Sequence, residues 1–139
     1  MQNTLKFPLR GIIPPLVTPF LDNNTLDIEG LGRLIEHTIS GGVHGGANMF
    51  PKLYVELYHA AVNRDFETII ALQQKVMQIS ATIYEVGHYG SSYLKGLKCA
   101  LSVMGICNNF MAEPFHKFKE PERLKIRQLL DEFNYSEWL

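Results

Sequence analysis

Several things are scarce in this 139-residue chain, and each scarcity excludes a class of protein. Only two cysteines are present, Cys99 and Cys107, each among apolar neighbours and without a second metal-ligand pair, so neither a disulfide framework nor a zinc site is expected. They read as two reduced, buried thiols. No block of Lys or Arg occurs, and thirteen basic residues against fourteen acidic ones leave a net charge of −1. That balance gives no electrostatic reason to expect nucleic acid or an anionic membrane as partner. No apolar run approaches the roughly 18 residues of a membrane span, and residues 1–6 lack the apolar core of a secretory signal, so the expected location is the cytoplasm. Histidines are scattered, with no His-x-x-x-His or Ser-His-Asp arrangement, so no metal ligand, cofactor or catalytic histidine is assigned.

With 46% hydrophobic and 19% charged residues, the chain is expected to form one domain over residues 1–139 with a real core. Residues 11–20 begin apolar and are punctuated by Pro14, Pro15 and Pro19, which read as a short strand with extended ends. Asp22-Asn23-Asn24 marks a turn, and Asp27 is placed to cap a helix in which Ile28, Leu31, Leu34, Ile35 and Thr38 make one apolar stripe. Gly41-Gly42 ends it. Residues 43–50 read as a brief strand or a glycine-rich turn. Pro51 is expected at the start of a helix with Leu53, Leu57, Tyr58 and Ala61 on one face. Asp65 caps a longer helix, residues 66–84, whose broad stripe of Phe66, Ile69, Ile70, Val76, Met77 and Ile83 needs a partner surface. A loop at residues 87–92 with a serine cap leads into a helix carrying Leu94, Leu97, Cys99, Ala100, Leu101 and Met104, closed by Gly105. Residues 107–119 are irregular, and Pro121 opens a last helix with Leu124, Leu129 and Leu130 facing inward. Two short strands and about five helices are an odd ratio, because a parallel sheet normally has more strands and is covered on both faces.

A resemblance accounts for the shortage of strands. Leu9-Arg10-Gly11-Ile12-Ile13-Pro14-Pro15-Leu16-Val17-Thr18-Pro19-Phe20 resembles the opening of the dihydrodipicolinate synthase / N-acetylneuraminate lyase family. Gly45-Gly46-Ala47-Asn48-Met49-Phe50-Pro51-Lys52 is similar to that family's eighth strand and the start of its eighth helix. Tyr93-Leu94-Lys95-Gly96-Leu97-Lys98-Cys99-Ala100-Leu101-Ser102-Val103-Met104-Gly105-Ile106 is similar to the helix late in its C-terminal extension, where a lysine precedes a small, apolar stretch and a glycine. The two blocks cover about residues 8–45 and 43–134 and meet at Gly41-Gly42-Val43-His44-Gly45-Gly46. The resemblance implies a helix-rich α/β remnant of a (β/α)8 TIM barrel, internally truncated: strands one and eight as a short parallel pair, and the helical extension. A whole barrel takes about 250 residues.

Family members are class I aldolases, in which a barrel lysine forms a Schiff base with pyruvate or another 2-oxo acid. A tyrosine and the threonines of a Gly-Thr-Thr-Gly-Glu motif relay protons beside it. This sequence has no Gly-Thr-Thr-Gly-Glu, and Thr4, Thr18, Thr25, Thr38, Thr68 and Thr82 are never adjacent. The segments that carry the tyrosine and the Schiff-base lysine have no counterpart, so no catalytic residue is assigned. Lys95 and Lys98, in an apolar helix, are read as long stems carrying their charge to solvent or as capping groups. Lys98 matches a family lysine that is not the Schiff-base residue. Of the substrate pocket, the resemblance leaves Val43, near the pyruvate carboxylate, and Thr18 at the end of the first strand. Exposed sheet edges and uncovered helix faces imply a homo-oligomer with strand or helix swapping, or association with a full-length paralogue. The expected function is that of a catalytically inactive relative of these lyases; the alternative is a lyase acting on 2-oxo acids with its site rebuilt in an oligomer.

Overall fold

The computed structural model describes residues 19–23, 25, 27–30, 33 and 45–139. The expected site residues Thr18 and Val43, most of the first strand, most of the first helix and the Gly41-Gly42 terminus lie outside them. Asp27 does cap a helical turn: its Oδ1 accepts from the Gly30 amide at 2.8 Å, and residues 28–30 and Arg33 are helical.

Four α-helices follow: α1 (Pro51–Asn63), α2 (Phe66–Thr82), α3 (Ser92–Val103) and α4 (Glu120–Glu132). Each begins close to where its local chemistry places it. Pro51 occupies the first turn of α1, where its missing N–H costs nothing. Asp65 caps α2, taking the Thr68 amide at 3.1 Å and the Thr68 hydroxyl at 2.7 Å, and these bonds hold its carboxyl below the usual range. Pro121 lies in the first turn of α4. After α3, Gly105 takes φ +78°, a left-handed conformation that L side chains rarely adopt.

Two expectations about termini are corrected. Residues 45–48 form a 3-10 turn, so the glycine-rich turn holds over the strand; among the described residues, Phe20 is a single bridge position and no longer strand occurs. The serine at the start of α3 does not cap through its own hydroxyl; instead Ser92 Oγ accepts the Tyr89 amide at 3.2 Å and braces the loop before the helix.

One core joins the four helices. α1 packs on α2, α3 on α4, and both α2 and α3 meet the 3-10 turn Ile83–Glu85. Leu72, Val76 and Ile79 form the inward row of α2 at steps of three and four, Ile83 of the following 3-10 turn continues it, and α3 contributes Leu97, Cys99, Ala100 and Leu101. Both cysteines are free and buried. Phe50 stacks obliquely on Phe133 with centroids 4.9 Å apart. Three face assignments change. In α1 the buried residues are Leu53, Tyr54 and Ala60, with Tyr58 and Ala61 turned outward. In α4 Ile126 and Leu130 point inward; Leu124, two residues before Ile126 and so roughly 200° around the helix, is half exposed. In α2 the broad stripe divides, leaving Phe66, Ile70 and Met77 in solvent.

Candidate functional site

The Gly45–Asn48 turn lies under a cluster of tyrosines drawn from three separate elements. The Met49 and Phe50 amides both donate to the Gly46 carbonyl at 3.0 Å, and buried Asn48 closes the turn by donating from Nδ2 to the Gly45 carbonyl at 2.9 Å. A Cβ on Gly45 would sit 1.6 Å from Tyr93 Oη, and one on Gly46 would sit 2.1 Å from Tyr54 Oη. A side chain at either glycine would have to displace the phenol that approaches it. The third member, Tyr84, meets Tyr93 edge to face with centroids 4.5 Å apart. Its Oη is buried and has no hydrogen-bond partner among the described residues.

Burial governs the chemistry of these phenols. It pushes Tyr54 up to about 12, with Tyr93 adding to the effect, and raises Tyr84 further, with Tyr54 and Tyr93 as smaller contributors. Tyr93 is raised by burial as well. All three stay neutral at ordinary pH, so they serve as hydrogen-bond donors and not as phenolate bases. An open pocket of about 470 Å³ lies beside Tyr84 and Tyr93, with Ser80, Glu85, His88 and Tyr89 on its other walls. Such a site can orient a polar ligand; it holds no activated nucleophile. Nothing local to Tyr54, Tyr84 or Tyr93 flagged this grouping in the sequence, because it depends on how α1, α3 and the Ile83–Glu85 turn come together.

The lysines separate in burial. Lys98 is 3% exposed, so of the two expectations, a stem reaching solvent or a capping contact, the first does not hold. Its ammonium donates to the Phe110 carbonyl and lies 5.3 Å from the Phe20 ring centroid. Burial lowers its pKa, and the nearby Cys107 thiol acts in the opposite sense. A cavity of about 270 Å³ opens beside it, walled mainly by Phe20, Leu94, Met111 and Phe115. Lys95 is only partly buried and sits 5.7 Å over the Phe118 ring. His59 stacks edge-on with Tyr58, while His88 and His116 are exposed. Among the described residues no group of three His, Cys, Asp or Glu side chains is placed to hold a metal ion, and no helix is long and apolar enough to cross a membrane.

Comparison with solved structures defines the class first. The chain matches the dihydrodipicolinate synthase of Bacteroides thetaiotaomicron with 60% sequence identity and a TM-score of 0.64, covering 76% of this chain and 35% of that one. It also matches the dihydrodipicolinate synthase of Oceanobacillus iheyensis with a TM-score of 0.55 at 21% identity, covering 77% of this chain and 35% of that one. These are relatives of TIM-barrel type, of which this chain spans about a third. A curated protein, the N-acetylneuraminate lyase of Citrobacter koseri, is 49% identical over 37 residues, which is 27% of this chain and 12% of that protein. No protein-family model matches the chain. The chain is thus a partial relative of the dihydrodipicolinate synthase / N-acetylneuraminate lyase family, as Gly45-Gly46-Ala47-Asn48 and the Tyr93–Leu101 helix implied.

Proposed function

We propose that this chain is an internally truncated, catalytically inactive relative of the pyruvate-dependent class I aldolases. The observation that carries the reading is the fate of its buried amine. Schiff-base chemistry needs a neutral lysine free to attack a carbonyl. Among the described lysines only Lys98 is buried, and its ammonium is engaged by the Phe110 carbonyl. The sequence adds no Gly-Thr-Thr-Gly-Glu motif to relay protons. What persists is a binding remnant: Val43 and Thr18 as backbone and hydroxyl contacts for a 2-oxo acid, within one domain assembled from residues 8–45 and 43–134. Its role is structural, through self-association or association with a full-length paralogue in the cytoplasm. The apolar residues on the outer side of α2 support that role. Proton NMR of pyruvate in deuterium oxide tests the inactivity: an enamine exchanges the methyl protons, and this chain is expected to leave their exchange at the uncatalysed rate. Accelerated exchange contradicts the reading.

One observation favours a second reading, a lyase with its site rebuilt in an oligomer. Lys98 has a lowered pKa and lines an apolar cavity, two conditions under which a lysine becomes nucleophilic. Lys98→Met would then abolish the exchange.

A further inference from the structure

The 87–92 loop, the start of α3 and the approach to α4 line a second pocket of about 300 Å³, which shares Gly87, His88, Tyr89 and Ser92 with the pocket beside the tyrosines. Its wall holds Lys95, Lys117, Lys119, His88 and His116, with Glu122 as the one acidic side chain. In a protein of net charge −1 this is a local reversal of sign. Among the described residues the cations also have no carboxylate partner: none of the three lysines has one within ion-pair distance, and the ion pair found is Arg33 with Glu29. Lys95 and Lys117 instead rest on aromatic faces, 5.7 Å from the Phe118 centroid and 4.3 Å from the Phe110 centroid. A ring face satisfies an ammonium only in part and leaves its N–H groups available. Glu122 stands opposed to them, and its Oε2 accepts the Lys119 amide at 3.1 Å at the start of α4.

We propose that this pocket binds the phosphoryl group of a small molecule. Lysines supply donors and no acceptors, so the wall is matched to a group that accepts from several directions and carries more than one negative charge. The volume stands at the lower end of small-molecule sites, large enough for a phosphoryl group and a short organic body but not for a nucleic-acid strand. The site is independent of the aldolase reading, because it uses neither Lys98 nor the Gly45–Asn48 turn.

Isothermal titration of the full chain with inorganic phosphate, at low ionic strength, tests the proposal. Saturable binding is expected, with Lys95→Met and Lys119→Met each weakening it about tenfold, the loss of one charge-assisted contact. Glu122→Gln keeps an acceptor for the Lys119 amide, removes the opposing charge and is expected to tighten binding. Lys125→Met, an exposed cation of α4 outside the pocket, is expected to leave it unchanged. Circular dichroism of each variant checks the fold. Absence of saturable binding at millimolar phosphate overturns the proposal. So does equal binding of acetate, or equal weakening by Lys125→Met.

Discussion

Asn108 Nδ2 donates to Asp27 Oδ2 at 2.7 Å across 81 positions of sequence, while the other oxygen of the same carboxylate caps Gly30. One buried side chain thus starts a helical turn and fastens it to the irregular segment after α3. Arg33 makes a parallel link, donating from Nε to the Ile106 carbonyl at 2.8 Å. Asp27 and Arg33 are thus fastened to the segment at residues 106–108.

Asp27→Ala removes both functions at once. Loss of the cap costs about 1 kcal/mol, and leaving Asn108 unpaired adds about 1 to 2 kcal/mol. Urea denaturation of Asp27→Ala, Asn108→Ala and the double variant measures this. The double variant is expected to lose less than the sum of the singles, because each already breaks the shared bond.

Glycine spacing makes a second prediction. A Cβ on Gly96 would lie 2.3 Å from the Ile83 carbonyl oxygen, whereas one on Gly90 meets nothing within 4 Å. Gly96→Ala must push α3 off the Ile83–Glu85 turn and is expected to cost roughly 1 to 3 kcal/mol. Gly90→Ala is expected within about 0.5 kcal/mol of the parent. Thermal denaturation of the pair separates a packing requirement from a general sensitivity to substitution.

Alkaline pH is expected to destabilise the fold. Burial pushes the Cys107 thiol up from 9.0 to about 11, so between these values the unfolded chain has released a proton that the folded chain still holds. Stability from this group is complete below pH 9.0 and falls as pH rises toward about 11, by about 2 to 3 kcal/mol. Tyr54, raised from 10.0 to about 12, extends the decline. Lys98 has the opposite sign: its lowered pKa means stability is regained as pH approaches the unfolded value of 10.5. Cys107→Ala is expected to flatten the loss between pH 9 and 11 in urea denaturation followed by circular dichroism. An unchanged slope contradicts this assignment.

The outer side of α2 and the end of α1 present Val62, Phe66, Ile70 and Met77, between 58% and 70% exposed. These exposed apolar side chains are the basis for the proposed self-association. Light scattering at micromolar concentration is expected to find a dimer or larger species, and Ile70→Glu is expected to shift it toward monomer. A folded monomer of the parent chain contradicts the self-association.

Much of the helical framework was legible because its signals are local. Asp27, Pro51, Asp65, Gly105 and Pro121 each act on backbone groups within a few residues, and each acts where the sequence placed it. The inward face of α2 was blurred because apolar residues occur on both sides, and only packing distinguishes Leu72 and Ile79 from Ile70 and Met77. Leu124 misled for the same reason. The burial of Lys98 was not legible, since its acceptor is a carbonyl in an irregular segment. The tyrosine cluster was missed because its members are held together only by tertiary contact, and Gly45 and Gly46, read as junction glycines, also make room for its hydroxyls.

The central claim, a family relative without Schiff-base chemistry, is tested most directly by borohydride reduction in the presence of pyruvate, followed by intact mass measurement and peptide mapping. An unchanged mass is expected, with Lys98 unmodified and held by the Phe110 carbonyl. A reduced pyruvyl adduct on Lys98, or on any other single lysine, would contradict it and show that the chain forms a Schiff base.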